Sequence, residues 1–169
     1  IPFEIQAGFD ATKTTLDEQF KLTWDEGDQI SVFHAVAGTT DYINDGAFTV
    51  KEAGKKGIFE GELAQALDPE KSYDWYILYP YNEQTVTPKK AVFRWNEQGG
   101  ETPENGGIQN LQSQHLPLWS NTKALAGTTA PKFNMHQVYS IAKITVNNVN
   151  CLTMTLDNFR LDGNKNDSV

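Results

Sequence analysis

The sequence has almost no arginine. Among 169 residues with a formal net charge of -8, only Arg94 and Arg160 carry a guanidinium group. Nucleic-acid binding depends on clustered Lys and Arg side chains that displace counterions from phosphates. Arginine also supplies the planar fork that holds carboxylates and phosphates at two points. The composition therefore argues against a nucleic-acid partner, and the acidic surface is interpreted as one that favours solubility.

Cysteine is just as rare. Because Cys151 is the single cysteine, no internal disulfide can form, and we expect packing and strand pairing to hold the fold. Cys151 lies in the apolar run 151–154, which is typical of a buried, inert thiol. No apolar stretch approaches the roughly 18 residues of a membrane-spanning helix. Neither an initiator Met nor a leader precedes Ile1, so we expect an export signal that has been lost or a chain that is a fragment.

Motifs for catalysis and for metal binding are also missing. His34, His115 and His136 are scattered and lack a metal-ligand spacing, so we expect each to be a surface or partly buried residue. No Gly-x-Ser-x-Gly elbow, phosphate-binding loop or dinucleotide fingerprint occurs. The acidic residues 25–28 lack the spacing of a calcium loop and are interpreted as a turn. We therefore expect no enzyme activity, cofactor or metal, although any two of the 22 acidic residues could in principle form a glycosidase pair.

What the sequence does have is a hydrophobic period of two. Apolar residues alternate over residues 20–24, the chain turns at residues 25–28, and alternation resumes at Ile30 and Val32. Gly27 can supply the positive φ angle that tight turns often need. This pattern predicts a β-hairpin in which residues 20–24 pair with the strand that follows the turn.

Further short segments also favour β-structure. The predicted strands are residues 47–50, 58–63, 72–79 and 138–146. Residues 72–79 are apolar on both faces, which predicts a central strand ended by Pro80. The Gly- and Pro-rich residues 96–110 predict a long loop. Helical spacing is confined to a turn or two within residues 61–67, so the pattern favours a sandwich or a barrel.

The four tryptophans divide into two pairs. Trp24 and Trp75 lie within strand patterns and are predicted to be core residues, whereas Trp95 and Trp119 flank the loop at residues 96–110. Aromatic rings at a flexible surface can stack on sugar rings. Trp95 and Trp119 are therefore the candidate ligand-binding residues, and they would serve a glycan-binding module.

Several motifs in a fixed order resemble a known family. They are residues 14–16 (Thr-Thr-Leu), 22–33 (Leu-Thr-Trp-Asp-Glu-Gly-Asp-Gln-Ile-Ser-Val-Phe), 59–61 (Phe-Glu-Gly), 75–81 (Trp-Tyr-Ile-Leu-Tyr-Pro-Tyr), 133–135 (Phe-Asn-Met) and 141–146 (Ile-Ala-Lys-Ile-Thr-Val). Together they resemble the fimbrillin-like (Mfa-like) exported proteins of Bacteroidales over residues 12 to 146. The chain departs from that family in one respect, because no arginine for proteolytic processing lies near its N-terminus.

The resemblance implies an all-β fold with little helix: an antiparallel β-sandwich of transthyretin-like Greek-key topology. Residues 1–169 would form a single domain, the N-terminal domain of a longer two-domain protein. The family's proteins are exported lipoproteins of the outer membrane, so the lipid anchor would lie outside this chain. The implied function is that of a fimbrial subunit (pilin) or cell-surface adhesin whose partners are other fimbrial subunits, bound by strand exchange, or a host surface ligand. A glycan-binding β-sandwich module is the alternative.

Overall fold

The structure is a computed structural model, and it describes residues 1–9, 23–93 and 117–138. No helix occurs among these residues, which confirms the expected all-β class with little helix. The seven strands are β1 (Pro2–Phe9), β2 (Gln29–Val36), β3 (Ile43–Glu52), β4 (Lys56–Glu62), β5 (Ser72–Tyr79), β6 (Leu118–Ala126) and β7 (Lys132–Gln137).

The strands form one closed barrel in the order β1-β4-β3-β2-β5-β6-β7. The six neighbouring pairs in this order, from β1–β4 to β6–β7, are all antiparallel. The seventh pair, β7 with β1, is parallel. The predicted antiparallel sandwich, and with it the two-sheet transthyretin-like topology, is therefore wrong, because β7 joins what would otherwise be two free sheet edges. Strands β1 to β4 do retain the spatial order 1-4-3-2 of a Greek key.

Strand prediction succeeded where a short run of residues itself favours β-structure. Residues 47–50, 58–63 and 72–79 lie in or overlap β3, β4 and β5, as predicted, and β5 is a buried strand between β2 and β6. β1 was not predicted, although Phe3, Ile5 and Ala7 alternate with polar residues. The helical turn predicted within residues 61–67 is wrong. The predicted strand at residues 138–146 and the loop at residues 96–110 lie outside the described residues, apart from Val138.

The predicted hairpin around residues 25–28 is wrong, because β2 pairs with β3 and β5, although the turn itself is present. Residues 20–22 of the predicted first strand lie outside the described residues. The Asp28 N–H donates to the Asp25 carbonyl over 3.1 Å, and Gly27 has a φ of 89°. Trp24, however, forms an isolated antiparallel bridge with Gly54, and β2 pairs with β3 and β5. Long-range pairing, rather than the turn, selects the partner of each segment.

Large aromatic side chains fill the barrel. Trp24 and Trp75 are buried, as predicted. Trp24 meets Phe59 and Tyr79 edge to face at 4.9 and 5.1 Å between ring centroids, and its Nε1–H donates to the Ala7 carbonyl over 2.8 Å. The hydrogen bond satisfies the polar atom of the indole, so the whole side chain can be buried without an uncompensated donor.

Strand β4 contains two glycines that make room for these rings. A Cβ at Gly61 would lie 2.5 Å from the Phe48 ring, and one at Gly57 would lie 2.6 Å from the Trp24 ring. Glycine within a strand often marks such a close approach. The packing of Phe48 and Trp24 therefore depends on the absence of side chains at these two positions.

We expect Gly61→Ala to lower the free energy of unfolding by about 1–3 kcal/mol, because the added methyl group overpacks the core against Phe48. Urea unfolding measures the change. Glu60→Ala, at the exposed neighbouring position, is the matched control and is expected to stay within about 0.5 kcal/mol of the wild type. Equal unfolding midpoints for the two variants would contradict this packing.

Candidate functional site

The barrel is split where β6 and β7 separate. Their ladder contains only the pairs Leu118↔Gln137 and Trp119↔His136. At the point of separation, the Ser120 hydroxyl donates to the Asn134 carbonyl over 2.6 Å. Beyond this bond, β7 pairs with β1 instead, and residues 120–126 of β6 retain β5 as their strand partner. Their second edge has no strand partner among the described residues.

A second edge without a strand partner in the described part of the chain lies on β1. β1 pairs with β4 from Pro2 onward but with β7 only from Gln6 onward. The Leu63 N–H donates to the Ile1 carbonyl over 2.9 Å, whereas the Gln6 N–H donates to Pro131 over 3.2 Å. Since ladder bonds alternate in direction along a strand, Glu4 points its N–H and C=O groups away from β4.

Two stretches lack a strand partner on one side among the described residues, namely residues 2–5 of β1 and residues 120–126 of β6. Both strands are neighbours of β7, and we call the gap between them the β1–β6 cleft. Phe3 and Leu125 belong to the edge of the hydrophobic core, and both are only partly buried. Phe3 stacks on Trp75 at 5.3 Å with an interplanar angle of 5°. The cleft thus combines free backbone groups with an apolar floor.

An open groove of about 620 Å³ lies at the β1 side of this cleft, between the paired ends of β1 and β4 and Ala130. Its rim carries Glu4, Glu60 and Glu62. Lys51 contacts Glu4 and lies 3.4 Å from Glu60, and the hydrogen bond to Glu4 raises the pKa of Lys51. Lys51 therefore contacts two of the three carboxylates, and the groove is acidic at its rim.

A buried ion-pair geometry lies inside the barrel. His34 Nδ1 lies 2.6 Å from Asp45 Oδ2, and the two side chains are 1% and 0% exposed. Asp45 Oδ1 accepts the Ala64 N–H over 3.0 Å, and the His34 ring packs on Trp75 at 5.2 Å. The expectation that His34 is a surface or partly buried residue is wrong. The apolar residues next to His34 in the sequence, Phe33 and Ala35, indicate that it lies in a buried strand.

The His34–Asp45 contact has a structural role in this arrangement. A histidine held by a carboxylate can serve as a general base, but it must reach a substrate. Here aromatic rings enclose the imidazole, including Trp75, whose buried Nε1 has no hydrogen-bond partner among the described residues. The pair therefore fixes β2 against β3 rather than offering a reactive group.

Removing one partner leaves the other buried and unpaired. We expect His34→Leu to lower the free energy of unfolding by about 3–5 kcal/mol, because Asp45 loses its partner in the core. Chemical denaturation measures the loss. His136→Leu, at an exposed position, is the matched control and should cost less than about 0.5 kcal/mol. A His34→Leu protein as stable as the control would refute this role.

A second polar contact closes the opposite end of the barrel. The Tyr79 hydroxyl donates to Asp28 Oδ1 over 2.9 Å, and the Asp25 N–H donates to Asp28 Oδ2 over 2.9 Å. Burial raises the pKa of Asp28 above its ordinary value, against the opposing effect of these two bonds. Burial and the nearby Asp28 carboxylate likewise raise the pKa of Tyr79.

The Asp28 contact predicts a pH dependence of stability. A raised pKa means that the folded protein binds more protons than the unfolded chain above pH 3.8, so stability falls as pH rises through the folded-state pKa. Relative to Asp28→Asn, the wild type should thus be most stable at the lowest pH and lose that advantage as pH rises. Urea unfolding across this range tests it, with the exposed Asp41→Asn as control. A relative gain of the wild type with rising pH would contradict the prediction.

The outer surface of β5, β6 and β7 carries the predicted residue Trp119. Trp119 is 38% exposed and lies 5.6 Å from the His136 ring. The register places Tyr76 opposite Asn121 in the neighbouring row, and Asn134 lies on the same face of β7 as His136. We call Tyr76, Trp119, Asn121, Asn134 and His136 the outer patch. Trp95, the other predicted residue, lies outside the described residues, as do His115 and Cys151.

Comparisons with known proteins identify no relative. A scan against protein-family models, a search of curated proteins and a search of solved structures each found no match to this chain. Within the described residues, no group of three or more His, Cys, Asp or Glu side chains is placed to hold a metal ion. The same residues contain no helix long and apolar enough to cross a membrane.

Proposed function

We propose that this chain is a fimbrial subunit or cell-surface adhesin, similar to the fimbrillin-like (Mfa-like) proteins, and that it acts by binding other proteins rather than by catalysis. The observation that supports this proposal is the β1–β6 cleft, where residues 2–5 and 120–126 present strand edges without a strand partner among the described residues. An unpaired edge is a template for a strand from another chain.

Backbone groups and apolar side chains would both contribute to docking. The Val138 N–H donates to Pro117, so the alternation of an antiparallel ladder directs the backbone groups of Trp119 and Asn121 toward β7. Asn121 lies beyond the last β6–β7 pair, so its N–H and C=O point to the β7 side of β6 and have no strand partner there among the described residues. An added strand would pair with these groups and place alternate apolar side chains near Phe3 and Leu125.

The edges are also limited in length, which would restrict the partner. Pro2 has no N–H to donate. On β6, the register shifts opposite residues 73–75, Ala124 has a φ of 53°, and its N–H donates to Asp74 Oδ1 over 2.8 Å. Bulges and proline blunt sheet edges against unselective pairing. Specificity would therefore come from the side chains of a short segment.

The test removes one hydrogen-bond donor from the cleft. In the full chain, Asn121→Pro lacks the N–H that faces the cleft, whereas the matched control Asn121→Ala retains it. We expect the wild type and Asn121→Ala to form oligomers or filaments. Asn121→Pro should assemble about tenfold more weakly or not at all, because it loses one hydrogen bond and its ring clashes with the incoming strand. Light scattering and negative-stain microscopy measure assembly, and circular dichroism verifies the fold.

Two results would count against the proposal. A wild-type chain that stays monomeric at every concentration would refute assembly through this chain alone. Equal assembly of Asn121→Pro and Asn121→Ala would show that partners dock elsewhere. Deleting β1 is not a usable test, because Ile5 and Ala7 are core residues with 1% and 0% exposure and the barrel would lose a strand.

A further inference from the structure

We propose that the outer patch is a binding site for a neutral oligosaccharide. It lies on the outer face of the barrel, whereas the β1–β6 cleft uses backbone edges, so this inference goes beyond the proposed function. The five residues of the patch occupy three adjacent strands and two neighbouring rows. Since strands in a sheet are about 4.8 Å apart, the patch is about 10 Å wide.

The register defines the arrangement of the side chains. One row contains Leu78, Trp119 and His136, and the next contains Tyr76 and Asn121. Tyr76 and Trp119 are diagonal neighbours across two paired strands, a separation that aromatic side chains can span. The rings of the patch are thus adjacent, and a carboxamide lies beside them in the same plane of the sheet.

The chemistry of the patch fits a sugar. A sugar ring has C–H groups on its faces and hydroxyls at its rim. Trp119 and Tyr76 offer apolar ring surface, while Asn121 and Asn134 each provide both donors and an acceptor. Asn121 makes no side-chain hydrogen bond to the described residues, so its amide is available. Aromatic rings beside small amides also cost little conformational entropy on binding.

Tyr76 is held in place by a second tyrosine. The rings of Tyr42 and Tyr76 meet edge to face at 5.1 Å, and Lys89 Nζ lies 5.6 Å from the Tyr42 ring centroid. The side-chain hydrogen bond with Tyr76, followed by burial, raises the pKa of Tyr42 to about 12. At the other end of the patch, the His136 ring lies 5.6 Å from the Trp119 ring with an interplanar angle of 48°. Rings that are already positioned lose less freedom when a ligand binds.

A protein partner is less well matched to this surface. The fully buried centre of a protein interface is more apolar than the rest of the surface and poor in charged residues. In the outer patch, the row next to Trp119 contains the polar Asn121, and Leu78, which pairs with Trp119, is only 8% exposed. The exposed apolar surface is therefore not continuous. No carboxylate or lysine belongs to the patch, and Lys123 and Lys132 lie beyond it on β6 and β7. This favours an uncharged ligand.

The experiment uses the full chain on an array of neutral oligosaccharides and their sialylated counterparts, followed by calorimetry with the oligosaccharide that binds best. We expect Trp119→Ala to weaken binding at least tenfold, because loss of a central aromatic anchor is among the most costly interface changes. Asn121→Ala should also weaken it severalfold while leaving assembly intact. Val86→Ala, at a 67% exposed apolar position outside the patch, is the control and should bind as the wild type does.

Three outcomes would overturn the proposal: no neutral oligosaccharide bound by the wild type, binding confined to sialylated glycans, or unchanged affinity in the Trp119→Ala protein. Near-ultraviolet circular dichroism verifies that each variant is folded. Should Trp119→Ala fail to fold, the small exposed change Asn121→Ala decides, and unchanged affinity in that variant overturns the proposal as well. Because Asn121→Ala keeps the backbone N–H, its effect on sugar binding is distinguishable from a failure of strand docking.

Discussion

The parallel pairing of β7 with β1 is the contact on which the rest of the structure depends. Residues 132–135 pair with residues 6–9, and this ladder alone joins the two ends of an otherwise antiparallel sheet. β7 pairs with β1 through residues 132–135 but with β6 only through residues 136 and 137. It therefore closes one end of the barrel and leaves the other end split, so closure of the fold and the presence of the β1–β6 cleft have the same cause.

The interior keeps this split barrel rigid. Trp24, Phe48 and Phe59 are buried in the barrel, and glycines of β4 let two of these rings pack against the backbone. Near the cleft, the Phe3–Trp75 stack and the buried His34–Asp45 contact replace the missing strand pairing. A buried charged or polar contact of this kind adds little net stability but disfavours alternative arrangements. The open end can thus remain ordered without a third strand in the cleft.

The sequence was informative about local structure and uninformative about partners. Alternation predicted the segment of β2, and short runs of β-favouring residues predicted β3, β4 and β5. Trp24 and Trp75 were assigned to the core because they lie in strand patterns, and Trp119 was separated from them because it flanks a predicted loop. The sequence did not predict that Gln6 pairs with Lys132 or that Trp24 pairs with Gly54, because such pairings join distant segments and leave no local pattern. The choice between sandwich and barrel depends on one of these pairings. The cleft was unpredictable for a related reason, since it is defined by where pairing stops.

Asn121 connects the two proposed binding surfaces. Its backbone groups face the cleft, whereas its side chain belongs to the outer patch, as expected for a strand whose edge and face are perpendicular. The position of the side chain follows from the ladder between β6 and β5, and a strand added in the cleft would fix the other edge of the same segment.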